Sequence, residues 1–232
     1  MGSLFRFDLR RYAETYDLPV LFETGTFRGN GVRIAVDAGF EQIFSVEIVD
    51  EYYRANVEGF SDQHNVTIIK GESAAVLGKT VSEIKGNILF WLDAHFPGAD
   101  GGLCSYNSCE DEAVRCPLEH ELETIKACRP DRNDVFIIDD LSIYEAGDFG
   151  NGPLPSHINK PANSSLDFID RLYSDTHHII RLYDDEGYVL LLPNELPPKL
   201  YLIRTLSEIY AKAGVPIDEA FTAAFGTGFP NH

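Results

Sequence analysis

Apolar runs alternate with helix-like segments along this chain, and that order limits the possible folds more than any other feature. The apolar runs are residues 19–24, 42–47, 65–70, 87–93 and 134–140. The helix-like segments are residues 5–17, 30–38, 50–60, 73–83, 117–128, 165–173 and 199–213. Strands that alternate with helices predict an α/β fold with a parallel sheet. Residues 177–183 and 187–192 flank an acidic turn and predict a terminal hairpin. We therefore expect a doubly wound, Rossmann-like, mostly parallel seven-stranded sheet that ends in an antiparallel hairpin.

Two long loops interrupt this pattern, at residues 97–116 and 145–163. The chain of 232 residues is 44% hydrophobic, which suits one domain spanning residues 1–232. Long loops in compact domains are usually lids or binding loops. The first loop follows the fourth strand, at the edge where such sheets bind ligands. We predict that both loops cover a substrate, with Phe96, Tyr106 and Tyr144 as candidate stacking or packing aromatics.

The chain is strongly acidic. It carries 19 basic and 37 acidic residues, for a formal net charge of −18. Such a surface repels phosphate backbones and anionic membranes, so we expect neither a nucleic-acid nor a membrane partner. No run approaches the roughly 20 apolar residues of a membrane span, and the N-terminus lacks the apolar core of a signal peptide. The expected compartment is the cytoplasm, and the sequence leaves open whether two chains form a homo-oligomer.

A glycine-rich segment joins the first predicted strand to the first crossover helix. Its sequence is Glu23-Thr24-Gly25-Thr26-Phe27-Arg28-Gly29-Asn30-Gly31. Glycines let a backbone turn sharply and approach a ligand, and the following helix offers N–H groups at its start. Glu47 ends the second strand, where a carboxylate can meet two ribose hydroxyls. This arrangement predicts a nucleoside-cofactor site, although an ordinary strand–helix turn can carry the same glycines.

Acidic residues also end the fourth and fifth predicted strands. Asp93 is followed by His95, and Asp139 is followed by Asp140. These strand ends lie side by side in a doubly wound sheet. Crowded carboxylates are tolerated when one is protonated or when a cation lies between them, and oxygen ligands suit Mg²⁺ or Mn²⁺. The alternative is that these acids cap the helices that follow them.

The glycine pattern Glu-x-Gly-x-x-x-Gly-x-Gly resembles motif I of class I S-adenosylmethionine (SAM) methyltransferases. The resemblance implies that Glu23, Gly25 and Gly29 line the methionine part of SAM and that Glu47 binds its ribose. It assigns further cofactor-binding roles to Thr26, Gly31, Glu72 and Ser73. Glu72 and Ser73 follow the third strand, where the family contacts adenine, and a helix cap by Ser73 is the alternative.

The acids resemble those of a narrower family, the metal-dependent sugar O-methyltransferases of the macrocin type. In that family an Asp after strand four and an Asp-Asp pair after strand five hold Mg²⁺. The resemblance thus assigns the metal to Asp93, Asp139 and Asp140. Where the family has its catalytic Asp this chain has His95, whose ordinary pKa of about 6.5 suits a general base. A metal or cofactor contact and a structural role are the alternatives for His95.

Together these resemblances predict a SAM- and divalent-metal-dependent O-methyltransferase acting on a hydroxyl of a sugar or glycan. A catechol or phenol O-methyltransferase is the first alternative, since those enzymes also use a divalent ion. They typically carry an Asp-Asn pair, so Asp139-Asp140 favours a sugar. A non-catalytic protein that retains only the SAM fold is the second alternative.

Two further segments have uncertain roles. Cys104, Cys109 and Cys116 lie near one another in the first loop, and the alternatives are free thiols, a disulfide or a zinc site. The helix predicted at residues 117–128 places Leu118, Leu122 and Ile125 on one face. Its acidic and histidine side chains look like a solvated face, namely Glu119, His120, Glu121 and Glu123.

Overall fold

The computed structural model describes residues 4–203. Their central element is a seven-stranded sheet in the order β3-β2-β1-β4-β5-β7-β6. The strands are β1 Val20–Thr24, β2 Gln42–Glu47, β3 Val66–Lys70, β4 Ile88–Leu92, β5 Val135–Ile138, β6 His177–Leu182 and β7 Tyr188–Pro193. The first five are parallel, whereas β7 pairs antiparallel with both β5 and β6. The predicted doubly wound sheet with a terminal hairpin is confirmed.

Helices cover both faces of the sheet. They are α1 Leu9–Tyr16, α2 Asn30–Ala38, α3 Asp50–Gly59, α4 Ser73–Thr80, α5 Glu112–Arg115, α6 Leu118–Cys128 and α7 Asp167–Tyr173. One hydrophobic core joins the sheet to α4, α6 and α7, and the other joins it to α1 and α2. The strands of the centre, β1 and β4, are buried along their whole length, as parallel strands between two helical layers must be.

Register aligns one aromatic residue from each of four neighbouring strands. Phe44, Phe22, Phe90 and Phe136 lie opposite one another across β2, β1, β4 and β5. Their ring centroids are 5.8, 5.9 and 5.0 Å apart in that order. Aromatic contacts of this kind add to the stabilisation from apolar burial. The row holds the four strands in register and so fixes the relative positions of their carboxyl ends.

A buried ion pair holds the opposite, amino-terminal ends of β4 and β5. The Arg129 guanidinium donates two hydrogen bonds of 2.7 Å to the Asp134 carboxylate. It also donates to the carbonyl oxygens of Val81, Ile84 and Gly86, while the N–H of Ile88 donates to Asp134. Buried charges are tolerated when they are paired and fully hydrogen-bonded in this way.

Several element boundaries differ from the prediction. The segment predicted as a helix at residues 5–17 is a 3₁₀ turn at Leu4–Arg6 followed by α1. The helix predicted at residues 73–83 ends at Thr80 and continues as a 3₁₀ turn. The helix predicted at residues 199–213 is wrong over residues 199–203, where Leu202 instead bridges Phe7; its remainder lies outside the described residues.

None of the helices within residues 4–203 is long and apolar enough to cross a membrane.

Candidate active site

A cavity of about 800 Å³ opens at the carboxyl ends of β1, β2, β4 and β5. Chain order reverses between β1 and β4, and doubly wound sheets bind ligands at this switch point. Both long loops contribute to its walls, for example through Tyr106 and Ile158. Leu4 and Phe5 of the first 3₁₀ turn also line it, which the sequence did not predict. With the exception of Gly29, all of the predicted cofactor, metal and catalytic residues line this one cavity.

The glycine loop follows β1 and forms one wall of the cavity. Gly25 and Gly29 have φ values of +86° and +75°, which residues with a side chain rarely adopt. A Cβ atom on Gly25 would lie 2.4 Å from the carbonyl oxygen of Asp93, and one on Gly31 would lie 1.8 Å from Glu23 Oε1. Glycine is therefore required here so that β1, β4 and α2 can approach one another.

Most N–H groups of this loop already donate within the protein. Those of Gly25 and Thr26 donate to the Val46 carbonyl, and that of Gly29 donates to the Thr26 carbonyl. The Phe27 N–H donates to Glu47 Oε2 at 2.8 Å. The loop therefore mainly provides space for a ligand. The backbone N–H groups that can bind a ligand are those in the first turn of α2.

Glu23 is buried beneath the glycine loop. Its Oε2 accepts a 2.5 Å hydrogen bond from the Ser45 hydroxyl, which also contacts the Thr26 hydroxyl at 2.5 Å. Burial raises the pKa of Glu23 to about 8. The carboxyl group is therefore largely protonated at neutral pH and can act as a hydrogen-bond donor.

Glu47 ends β2 with both carboxylate oxygens oriented by the backbone. Oε2 accepts the Phe27 N–H, and Oε1 accepts the Val49 N–H at 2.7 Å. Burial raises the pKa of Glu47, although these hydrogen bonds favour the charged form. Each oxygen keeps a further lone pair, so the carboxylate can still accept hydroxyl groups of a ligand. Glu72 and Ser73, at the start of α4, line the same cavity.

Asp93, His95, Asp139 and Asp140 form a compact cluster at the ends of β4 and β5. His95 Nε2 lies 2.5 Å from Asp140 Oδ2 and 3.5 Å from Asp93 Oδ1. The Asp140 N–H donates to Asp139 Oδ1 at 2.8 Å. Asp140 has a φ of +55°, and strained backbone of this kind is concentrated at functional sites.

Proximity shifts the pKa values of all four groups. Burial and the neighbouring Asp139 raise the pKa of Asp93 well above its usual range, and burial and Asp140 raise that of Asp139. Burial lowers the pKa of His95, but Asp140 and the other two carboxylates outweigh it and raise that pKa well above 6.5. Against the effect of burial, His95 lowers the pKa of Asp140. Asp140 and His95 are thus an ion pair.

The cluster does not fit a metal ion as it is arranged. Its three carboxylates are the hard oxygen donors that Mg²⁺ and Mn²⁺ prefer. However, the imidazole of His95 lies against Asp140 and already supplies the positive charge. Within residues 4–203 no group of three or more His, Cys, Asp or Glu side chains is arranged to hold a metal.

The cysteines form neither a disulfide nor a zinc site in the described part of the chain. Cys104, Cys109, Cys116 and Cys128 are all free. The disulfide alternative is therefore wrong for these four cysteines.

Glu121 was wrongly assigned to a solvated helix face. Its side chain is 1% exposed, and burial raises its pKa to about 7. It lines a small void behind the acidic cluster together with His95 and Tyr144, and one of its oxygens has no hydrogen-bond partner among the described residues. Its spacing from Leu118 and Ile125, three and four residues away, could have placed it on the buried face.

The two long loops are joined by hydrogen bonds. Asn107 Nδ2 donates to the His157 carbonyl at 2.7 Å, and Asn107 Oδ1 accepts from the Asn159 N–H at 2.8 Å. The Ala162 N–H donates to both Glu112 carboxylate oxygens at 3.0 Å. The loops therefore form one continuous wall of the cavity, and the sequence carried no signal for this pairing.

No protein-family model matches the chain, and no curated protein matches it. Solved structures do resemble it. The SAH-bound methyltransferase PaMTH1 of Podospora anserina has 13% identity and a TM-score of 0.54, with 80% of this chain and 76% of that chain covered. The O-methyltransferase TomG of Streptomyces achromogenes, in complex with SAM, has 12% identity and a TM-score of 0.51, with 83% and 81% covered.

A third structure is the Bacillus cereus O-methyltransferase in complex with SAH, with 12% identity, a TM-score of 0.51, and 84% and 83% of the two chains covered. At these identities the likeness concerns the fold. The chain therefore has a Rossmann-like methyltransferase fold, as its strand order also indicates.

Proposed function

We propose that this protein is a SAM-dependent O-methyltransferase that acts on a hydroxyl group of a small acceptor. One observation carries the proposal: the glycine loop with Glu47 and the cluster containing His95 line the same cavity. A loop of the kind that binds nucleosides and a histidine–carboxylate pair are thus on the walls of one cavity, which supports the proposal. The neighbouring structures bound to SAM or SAH support the same cofactor.

When bound, SAM supplies an activated methyl group on a sulfonium. In this proposal Glu47 accepts the ribose hydroxyls, and the glycine loop leaves room for the methionine part beside Glu23. Glu72 and Ser73 lie at the start of α4, where adenine is expected. The two long loops exclude water from the enclosure, which strengthens electrostatic interactions inside it.

His95 and Asp140 move the proton. The acceptor oxygen would form its bond to the methyl carbon as the methyl–sulfur bond breaks and SAH is released. The hydroxyl proton would pass to Nδ1 of His95, and Asp140, which is paired with Nε2, would stabilise the resulting imidazolium. The raised pKa keeps His95 protonated in the isolated protein. A cationic cofactor in the same cavity would lower that pKa and favour the neutral imidazole that can accept a proton. Asp93 Oδ1 lies 3.5 Å from Nε2 of His95 and helps Asp140 to orient the ring.

The predicted sugar acceptor and metal ion remain part of the proposal. The Asp139-Asp140 pair favours a sugar or glycan hydroxyl over a catechol or phenol, by the family resemblance. The oxygen donors of Asp93, Asp139 and Asp140 favour Mg²⁺ or Mn²⁺, but their present arrangement around His95 does not. The proton transfer described above therefore includes no metal.

Binding and transfer are tested separately. Titration calorimetry with SAH tests the cofactor site, and transfer of a labelled methyl group from SAM to a panel of sugars and catechols tests the reaction. We expect Asp140→Asn to reduce transfer at least about tenfold while SAH affinity changes little, because Asp140 acts on the acceptor proton. Glu51→Gln, which changes an acid on the exposed surface of α3, is the control. Full activity of Asp140→Asn would contradict the role of the pair.

Metal dependence is decided by the same transfer assay. Dialysis against EDTA, followed by addition of Mg²⁺ or Mn²⁺, should abolish and restore activity if the acids hold an ion. Activity that is unchanged by EDTA would contradict metal dependence. The His95–Asp140 pair would then be the proposed group that removes the proton from the acceptor hydroxyl.

A further inference from the structure

The acceptor side of the cavity has a charge that restricts which hydroxyl compounds can enter. Beyond the acids already described, Asp100 of the first loop and Glu186 of the β6–β7 turn line the cavity. Eight carboxyl side chains therefore line it in all, whereas Arg28 is the only Lys or Arg side chain among its described lining residues. Acidic side chains therefore far outnumber Lys and Arg side chains in the described lining of the cavity.

The basic groups near the cavity do not balance this charge at the acceptor side. Arg28 belongs to the glycine loop and stacks on Phe27, on the cofactor side. Lys160 donates to the Ser142 carbonyl at the rim, without lining the cavity. His95 is already paired with Asp140. Even with Glu23, Asp93 and Asp139 protonated, an anionic acceptor would meet a surplus of like charge from the remaining carboxylates.

Tyr106 and Asp100 form a polar pair on the cavity wall, next to Phe96, whose ring contacts that of His95. The Tyr106 hydroxyl donates to Asp100 Oδ1 at 2.7 Å, and its ring packs edge-on against Phe96 at 5.4 Å. The hydrogen bond to Asp100 raises the pKa of Tyr106 to about 12, and Asp140 adds to that rise. An aromatic ring next to a carboxylate is the combination that proteins use to bind protonated amines, through cation–π and charge attraction together.

We propose that the acceptor is a small hydroxyl compound that carries a protonated amine and lacks phosphate and carboxylate groups, with its amine held by Asp100 and Tyr106. This inference rests on the proposed function and narrows its acceptor. It excludes nucleotide-linked sugars and coenzyme A esters, since both carry several phosphate charges. The net charge of the whole protein does not by itself predict this preference for a cationic acceptor, because most surface acids are solvated and distant from any bound acceptor.

A matched series of sugars tests the proposal. Glucosamine, methyl glucoside and glucose 6-phosphate have similar hydroxyl groups and carry positive, zero and negative charge. We expect their affinities for the SAH-saturated protein, measured by calorimetry, to fall in that order, with glucose 6-phosphate at least about tenfold weaker than glucosamine. Higher salt should narrow this difference. Equal binding of glucosamine and glucose 6-phosphate would overturn the inference.

Two charge-reversal variants separate the local from the global effect. Asp100→Lys should weaken the binding of glucosamine several-fold and strengthen the binding of glucose 6-phosphate several-fold. Asp62→Lys makes the same change in net charge at an exposed site and should leave the order of the series as it is. An unchanged order in Asp100→Lys would remove Asp100 from the acceptor site. If the wild-type protein did not bind SAH at all, the proposed function itself would be refuted. A failure of the proposed function can therefore be distinguished from a failure of the proposed acceptor.

Discussion

The buried carboxyl group of Glu23 predicts a specific pH dependence of stability. Burial raises its pKa from an ordinary 4.5 to about 8. Between these two values the folded protein holds a proton that the unfolded chain has lost, so the contribution of Glu23 to stability falls as the pH rises. It is fully present below about pH 4.5, is lost progressively up to about pH 8, and is constant above that.

The magnitude follows from the size of the shift. Each pKa unit corresponds to about 1.4 kcal/mol, so the shift of Glu23 corresponds to about 5 kcal/mol. Water that enters when the carboxylate forms reduces this, and we expect a loss of roughly 3 to 5 kcal/mol between pH 4.5 and 8. Glu23→Gln keeps the shape and the acceptor for Ser45 but cannot ionise, so this loss should be absent in the variant.

Urea denaturation of both proteins between about pH 4.5 and 9 measures the effect as the difference in the free energy of unfolding. As the pH rises, the free energy of unfolding of Glu23→Gln should increase by several kcal/mol relative to that of the wild type. Glu14→Gln, which changes an exposed carboxyl on α1, is the control and should give a curve parallel to that of the wild type. A parallel curve for Glu23→Gln as well would refute the reasoning, because Glu23 would then be ionised at little cost.

Two further changes test the packing around the site. Gly25→Ala should destabilise the protein by about 1 to 3 kcal/mol more than Gly39→Ala in chemical denaturation, and it should also abolish SAH binding. Both glycines have a positive φ, but only at Gly25 would the new Cβ atom collide, with the backbone of Asp93. Equal losses of stability in the two variants would contradict this. Arg129→Ala should lower the free energy of unfolding by about 3 to 5 kcal/mol in the same assay, because it leaves the buried Asp134 unpaired. Arg171→Ala removes only exposed ion pairs with Glu119 and Glu123 and should lower it by less than about 1 kcal/mol. Similar costs for the two arginines would show that the Asp134 pair is not a buried one in solution.

The sequence determined the fold and the membership of the candidate site because both depend on local order along the chain. Apolar runs alternate with helices, which requires a parallel sheet, and a parallel sheet brings the ends of its strands to one edge. Residues that end a strand, such as Glu47, or directly follow one, such as Gly25 and Asp93, were therefore placed correctly at the shared cavity. The glycines of the loop were also recognisable in the sequence, since the close contacts at Gly25 and Gly31 leave no room for a side chain.

The tertiary structure alone decided the charges and the walls of the site. The distance of 2.5 Å between His95 and Asp140 depends on how the ends of β4 and β5 meet, and it pairs the proposed base with a carboxylate. Glu121 looked solvated because its neighbours in sequence are polar, but the packing of α6 buries it. The pairing of Asn107 with residues of the second loop joins segments about 50 positions apart. Contacts of that range depend on the whole fold, and no local pattern encodes them.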